Sequence, residues 1–445
     1  MRGLGLLLGV AAALGLTLPY PYVGVLLWTW FALQQPHREV YGFAQTAPLN
    51  FVMAIVTLGA WIFSRERKTV PTGFIFWMLV LFLLWMAINS YFAFDVTQSA
   101  PIWDRTWKTF VLGFVIAAMA TTRTRLYALI WIVVIALFFY GVKGGLFTIL
   151  TGGHFHVNGP EETQIGDNNQ LATALLMVLP LANWLRGQVA DRRISHMLMG
   201  GIGLTIVAVI GTYSRGALIG LGALGLFMLL RTRRRFIYIA AAATFGLLVV
   251  NFMPQNFLHR ASTISESTDL SAADKSDVDA SFEGRLDAWR VAFEYASDHF
   301  PFGAGFSNLQ LGRLYDAYSP GHPPHAAHSI YFEVLGDHGF VGLAMYLIII
   351  AAAFLKCFRI MSLTKKDPER RWAYDLALAI QGSLFVFCIA GAALSLAYYD
   401  LFVIDLAMLL PLWVIVRSAL KTPQWTPAHA ATPQVLHARN QVEAG

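Results

Sequence analysis

Charge is scarce in this chain: only 13% of its 445 residues are charged, against 57% hydrophobic residues and a mean hydropathy of +0.56. Soluble domains carry about 25% charged and roughly 45–50% apolar residues, so a soluble enzyme is excluded. Cysteine is scarcer still. Cys357 and Cys388 are the only two and lie in or beside apolar runs, so no disulfide framework is indicated. A convincing P-loop or dinucleotide fingerprint is also missing, as is any internal repeat between the two halves, which weighs against an inverted-repeat transporter. The net charge of +6 does not imply a nucleic-acid partner, because the basic residues fall in short clusters between apolar segments.

What the chain has in quantity is apolar runs. They lie at about residues 3–18, 21–35, 47–63, 74–92, 107–121, 126–142, 168–185, 195–212, 216–230, 236–253, 341–356, 373–392 and 395–416. The basic start and first apolar run look like a signal peptide, but no small-residue cleavage site follows, so a retained helix is expected. Basic clusters at Arg65 to Lys68, Arg123 and Arg125, Arg186 to Arg193, Arg231 to Arg235 and Lys356 to Arg371 are separated by even numbers of apolar runs. All can therefore be cytoplasmic together. With Arg2 inside as well, residues 3–35 are expected to cross once, broken at Pro19 and Pro21. The alternative is two full crossings with the N-terminus outside.

The expected fold is thus an all-α polytopic membrane protein of about 12 transmembrane helices with one large periplasmic loop containing short helices. Four regions are predicted: N-terminal membrane helices (1–253), the loop with the catalytic segment (254–340), C-terminal membrane helices (341–421) and a disordered cytoplasmic tail (422–445). Trp28, Trp30 and Trp103 are expected as interface anchors, and Asp400 and Asp405 as a structural acid pair.

Within the loop, residues 261–281 are acidic, free of aromatics and predicted to be mobile. Residues 283–300 place Leu286, Trp289, Phe293, Ala296 and Phe300 at spacings of three and four, predicting an amphipathic helix. A histidine-rich segment follows, with His322, His325 and His328. Metal binding is not favoured, because Pro323 and Pro324 keep His322 and His325 off one helical face. Residues 329–337 read as a short helix stopped at Gly339, which puts His328 at a helix N-terminus. There the local potential favours a neutral imidazole and attracts an anion. Arg215, between two short apolar runs, has few acids near it in sequence, which favours an anionic ligand over pairing with an acid of the chain. Arg285 opens the amphipathic helix one turn before Trp289.

HSIYFEVLGDHGFVG, from His328 to Gly342, fits the H-[NSQ]-x9-G-x-x-[GTY] pattern of the O-antigen ligases at His328, Ser329, Gly339 and Gly342. TYSRGAL around Arg215 resembles the family's Ser-Arg-Gly segment, which related O-antigen polymerases share. GRLDAW with PFGAG resembles its second arginine segment, and GDNNQLA around Asn169 its Asp-x-Asn segment. PYVGVLLWTWFALQQPHREVYGFA and GGHFHVNGPEETQIGDNNQLA look like an exosortase-associated branch of O-glycosylation ligases. The resemblance implies a glycosyltransferase of the bacterial inner membrane, with its site facing the periplasm and no cofactor. It would join glycan from an undecaprenyl pyrophosphate-linked donor to a lipid A-core acceptor.

Carried over residue by residue, His328 is the base and Arg215 and Arg285 hold the pyrophosphate. Ser329, Gly339, Gly342, Asn169, His325 and His338 are supporting residues, although His338 is an extra histidine beside Gly339 that the pattern does not explain. The rival readings are an O-antigen polymerase, a protein O-oligosaccharyltransferase and, from another class, a lipid-linked oligosaccharide flippase.

Overall fold

The computed structural model describes residues 2–40, 42–231 and 272–421. The apolar run 236–253, Arg233 to Arg235, residues 261–271 and the tail from 422 onward lie outside them, whereas residues 272–281, expected to be mobile, are helical. Among the described residues the regular structure is helical throughout, with no strand. Among these residues six helices are long and apolar enough to cross a membrane: Phe74–Tyr91, Arg123–Leu150, Arg192–Gly211, Ile330–Thr364, Pro368–Ala393 and Asp400–Leu420. Gly3–Thr17 and Leu49–Phe63 are apolar but shorter.

In chain order the helices are α1 (Arg2–Thr17), α2 (Pro21–Gln34), α3 (Phe43–Thr46), α4 (Leu49–Phe63), α5 (Phe74–Tyr91), α6 (Val96–Met119), α7 (Arg123–Leu150), α8 (Asn168–Gln188), α9 (Arg192–Gly211) and α10 (Arg215–Arg231). After the undescribed stretch come α11 (Ala272–Asp298), α12 (Gly312–Tyr318), α13 (Ile330–Thr364), α14 (Arg371–Ala390) and α15 (Asp400–Lys421). The less apolar α8 is the central helix. It is buried without a break from Leu171 to Ala182 and packs against α7, α9, α10 and α14. A helix enclosed by protein on all sides has no outward stripe to show in its sequence.

The two ends of the bundle differ in kind. At one end the basic loops meet one another: Arg125 pairs with Glu66 at 2.5 Å, Arg123 donates to Gln188 at 3.3 Å, and Arg370 donates to the carbonyl of Ala419 at 2.8 Å. Trp184 donates to the carbonyl of Trp372 at 3.1 Å, joining two more of these loops. The clusters that charge statistics put on one side of a membrane are thus gathered at one end. The opposite end holds residues 302–308, His328 and the turn at 391–399.

Residues 3–35 do not make the single end-to-end crossing expected of them. Pro21 does mark the break, as the first residue of α2, but α1 folds back along α2. Gly24 packs on Thr17 and Thr57 near the basic end, where the Tyr22 hydroxyl donates to the carbonyl of Arg125 at 2.6 Å. At its other end α2 reaches Tyr140, which donates to the carbonyl of Gln34. Because α1 also packs on α3, beyond that end of α2, the pair forms an antiparallel hairpin. The three residues between them are enough for such a reversal. Trp28 is likewise not an interface anchor: it is buried in the core.

Candidate functional site

At the end away from the basic loops, α13 begins with Ser329 as its N-cap, and the residue before it is His328. His328 has φ +43°, a left-handed conformation that costs a residue with a β-carbon roughly 1–2 kcal/mol. Its N–H donates to the Ser395 hydroxyl at 3.1 Å, so the turn at 391–399 holds this backbone. The side chain is open to solvent. Nearby protein and the Arg285 guanidinium nevertheless hold the imidazole below its ordinary pKa of 6.5, with Asp167 acting in the opposite sense. At neutral pH His328 is therefore mostly uncharged, with a ring nitrogen free to accept a proton.

Arg285 reaches His328 through Trp289. The indole, one turn further along α11, stacks on Phe332 at 4.7 Å and donates to the carbonyl of Ala327 at 2.6 Å. These contacts tie α11 to the residues just before His328, and Arg285 lies on the same helical face as Trp289. Its Nε is buried without a hydrogen-bond partner, while the neighbouring Asp287 is engaged with Arg290, Tyr315 and Ser319. An arginine positioned beside a histidine, with an orphaned buried donor and no carboxylate partner among the described residues, is arranged to receive an anion.

The predicted apolar face of this segment is only partly the one used. Ala288, Val291, Ala292, Tyr295 and Ala296 are buried, whereas Leu286, Phe293 and Phe300 are exposed. Small residues let α11 approach α13 closely, and the larger rings are displaced to the outside.

Arg215 is the first residue of α10 and is exposed. The Ser214 hydroxyl accepts from the N–H of Ala217 at 3.2 Å, fixing the helix start. The next residue, Gly216, packs on Ala390 and Ala393, so Arg215 borders the turn whose Ser395 holds His328. It has no carboxylate partner among the described residues. The start of α8 meets the same turn: Gln170 donates to the carbonyl of Ser395 at 3.0 Å and Asn168 to that of Thr212 at 2.8 Å. Asn169 spends its N–H and side-chain amide on the Asp167 carboxylate, each at 2.9 Å. Its support is therefore indirect, through the acid that faces His328.

The other predicted residues divide clearly. The ring of His325 packs on Gly284, beside Arg285, and adds to the field at His328. Gly339 interrupts α13 with φ +69°, and a Cβ there would stand 2.4 Å from the Pro301 carbonyl oxygen. At Gly303 a Cβ would stand 2.3 Å from the backbone nitrogen of His338. The two backbones interlock, with Ala304 donating to Gly336 at 2.8 Å and Gly305 to Asp337 at 3.0 Å. Gly342 packs on His338 and Trp85 in the same crossing. His338 is enclosed by Phe82, Phe306 and Tyr398, away from solvent, so it fills the core and does not share the solvent-open position of His328.

Sequence reasoning missed three parts of this region. Asp167 was read only within a segment, although its charge reaches His328. Arg105, on α6, is exposed and within electrostatic range of Asp400 and Glu333, yet pairs directly with neither. One turn further along, the Thr109 hydroxyl donates to Asp400, and Glu333 accepts from the N–H of Ala397 at 2.9 Å. Asp400 is thus a fastening for the turn at 391–399, the third part, which has no motif of its own. Asp405 accepts from Ser383 at 2.5 Å, deep between α14 and α15.

Comparison with known proteins gives two family matches. Residues 1–190 match a family of unknown function, and residues 200–347 match the family described as O-antigen ligase. The second match contains Arg215, Arg285, His328, Gly339 and Gly342 but stops short of Asp167 and Asn169. No curated protein matches the chain. The geometry and this match together support a multi-pass membrane enzyme of the O-antigen ligase/polymerase type.

Proposed function

We propose that the chain is an O-antigen ligase that moves a glycan from undecaprenyl pyrophosphate to a sugar hydroxyl of lipid A-core. The observation that carries this reading is the pairing of an accessible, neutral His328 with an Arg285 that has no acidic partner among the described residues. On this reading the chain is a multi-pass protein of the bacterial inner membrane, with the basic end cytoplasmic and His328 periplasmic.

In the reaction, the acceptor hydroxyl oxygen forms a bond to the anomeric carbon of the donor sugar as the bond from that carbon to the pyrophosphate oxygen breaks. The bonding electrons leave with the pyrophosphate. His328 takes the acceptor proton and later returns it to solvent. Arg215 and Arg285 receive the charge that grows on the leaving group, a task for which the guanidinium fork suits phosphate oxygens and stays protonated at any working pH. The donor is already activated, so no nucleotide is consumed. The arginines supply the positive charge, so the reaction proceeds in chelator; loss of activity in EDTA with recovery on adding magnesium would overturn that part.

The test incubates the purified protein with lipid-linked glycan and rough lipopolysaccharide. A ladder on lipid A-core is expected. Growth of the lipid-linked chain alone would make the protein a polymerase, and glycan on protein would make it an O-oligosaccharyltransferase. Transport that survives His328→Ala, without transfer by the wild type, would make it a flippase.

A further inference from the structure

The end of the bundle opposite His328 contains a cavity of about 380 Å³ between the start of α5 and the far ends of α13 and α15. Lys356 and Arg359 enter it from α13 and Arg417 from α15, while Thr72 and Gly73 close its side at the start of α5. Lys356 lies within electrostatic range of both arginines. None of the three pairs with a carboxylate among the described residues.

Topology alone does not account for that arrangement. The positive-inside tendency asks for basic residues at this end but not for three that converge on one cavity, and several of the other basic residues here meet carboxylates. Arg125 meets Glu66 and Arg370 meets Asp367, both at 2.5 Å, and Arg371 meets Asp375 at 3.1 Å. Three like charges converging on one cavity repel one another unless an anion joins them. They are also held in place, because Lys356 Nζ sits 4.4 Å and the Arg359 guanidinium 5.1 Å from the centre of the Trp413 ring. That stacking orders two long side chains before any ligand arrives.

The cavity wall contributes further donors. Gly73 is the N-cap of the 18-residue α5 and offers no side-chain cap, so the first-turn N–H groups of this helix are free of side-chain partners. Leu410 and Val414 supply an apolar flank beside the cations. A tetrahedral oxyanion fits the charged part, and a molecule with an apolar portion fits the flank.

We propose that this cavity binds phosphate, either as the phosphodiester headgroup of an anionic lipid or as the free inorganic anion. The site is separate from the transfer chemistry and stands whether or not the glycosyltransferase reading holds.

The test uses the full chain in nanodiscs of phosphatidylcholine, with or without phosphatidylglycerol, and reads retained phosphatidylglycerol by native mass spectrometry alongside thermal stability. Wild type is expected to retain phosphatidylglycerol and to melt higher in its presence. Lys356→Gln, Arg359→Gln and Arg417→Gln should each lower retention roughly fivefold, as expected for the loss of one basic residue at a lipid surface. Arg417 is exposed near the end of α15, so Arg417→Gln remains informative if the others fold poorly. Arg371→Gln removes the same charge from a paired site and should change nothing. In a second arm, inorganic phosphate is added to protein in phosphatidylcholine. Stabilisation by phosphate alone, abolished in the same variants, would support the site with the free anion as its source. Equal retention and equal melting in wild type and all variants, with no phosphate effect, would overturn the proposal.

Discussion

Both ends of this molecule hold paired and bare cations, but only one of them sets a bare arginine beside a histidine. At the basic end, Arg125, Arg370 and Arg371 each meet a carboxylate, with Arg125 and Arg370 also tying separate segments together, while Lys356, Arg359 and Arg417 share a cavity with no histidine in it. At the other end, Arg215 and Arg285 have no carboxylate partner among the described residues, and Arg285 lies within electrostatic range of a solvent-open histidine. The difference teaches that in a membrane protein the number of cations reports topology, whereas the partner left over reports function. A buried or half-buried guanidinium without a carboxylate keeps its capacity for an anion that is not part of the chain.

That contrast breaks most sharply at His328. His328→Ala should lower the transfer rate about 100- to 10,000-fold in a single-turnover assay while lipid-linked donor still binds; retained turnover would remove the base from the mechanism. Arg285→Ala and Arg215→Ala come next, each expected to cost roughly 100- to 1,000-fold by analogy with lost oxyanion donors. Near-wild-type rates for both would make the two ends alike.

A pH profile sharpens the comparison further. His328 is active when neutral, so kcat/KM should fall as pH drops through a pKa held below 6.5. The Arg285 charge lowers that pKa, so Arg285→Gln should move the acid limb to higher pH. The Asp167 charge raises it, so Asp167→Asn should move the limb to lower pH. Shifts of the same sign would contradict the arrangement around His328. The smallest effect belongs to the basic end, where Arg371→Ala should cost less than about 1 kcal/mol in denaturant melts and leave transfer unchanged.

Much of this architecture was legible because it is local. Apolar runs mark most helices, Pro21 marks the start of α2, and Ser329 precedes α13 by its position next to the histidine-rich segment. The hairpin of α1 and α2 was not legible, since a short apolar pair reads the same whether it continues or turns back. The packing face of α11 was misread because its contacts use Ala288, Val291 and Ala292, which carry less hydropathy contrast than Leu286 and Phe293. The site residues with motifs were visible, whereas Asp167 and Arg105 matter through contacts across long stretches of chain. No spacing rule reports those.

The interlocked backbones at Gly303 and Gly339 carry a mechanical consequence. Ser307 donates to the Asp337 carboxylate at 2.9 Å and Tyr398 to its other oxygen at 2.9 Å, closing the crossing on both sides. The segment that follows α11 is thereby bolted to the first turns of α13, and Trp289 bolts α11 itself to the approach to His328. Arg285 and His328 thus belong to one jaw and travel together. Arg215 belongs to neither of those segments: it starts α10, which packs along α14 and α8, so the two arginines are carried by separate parts of the bundle.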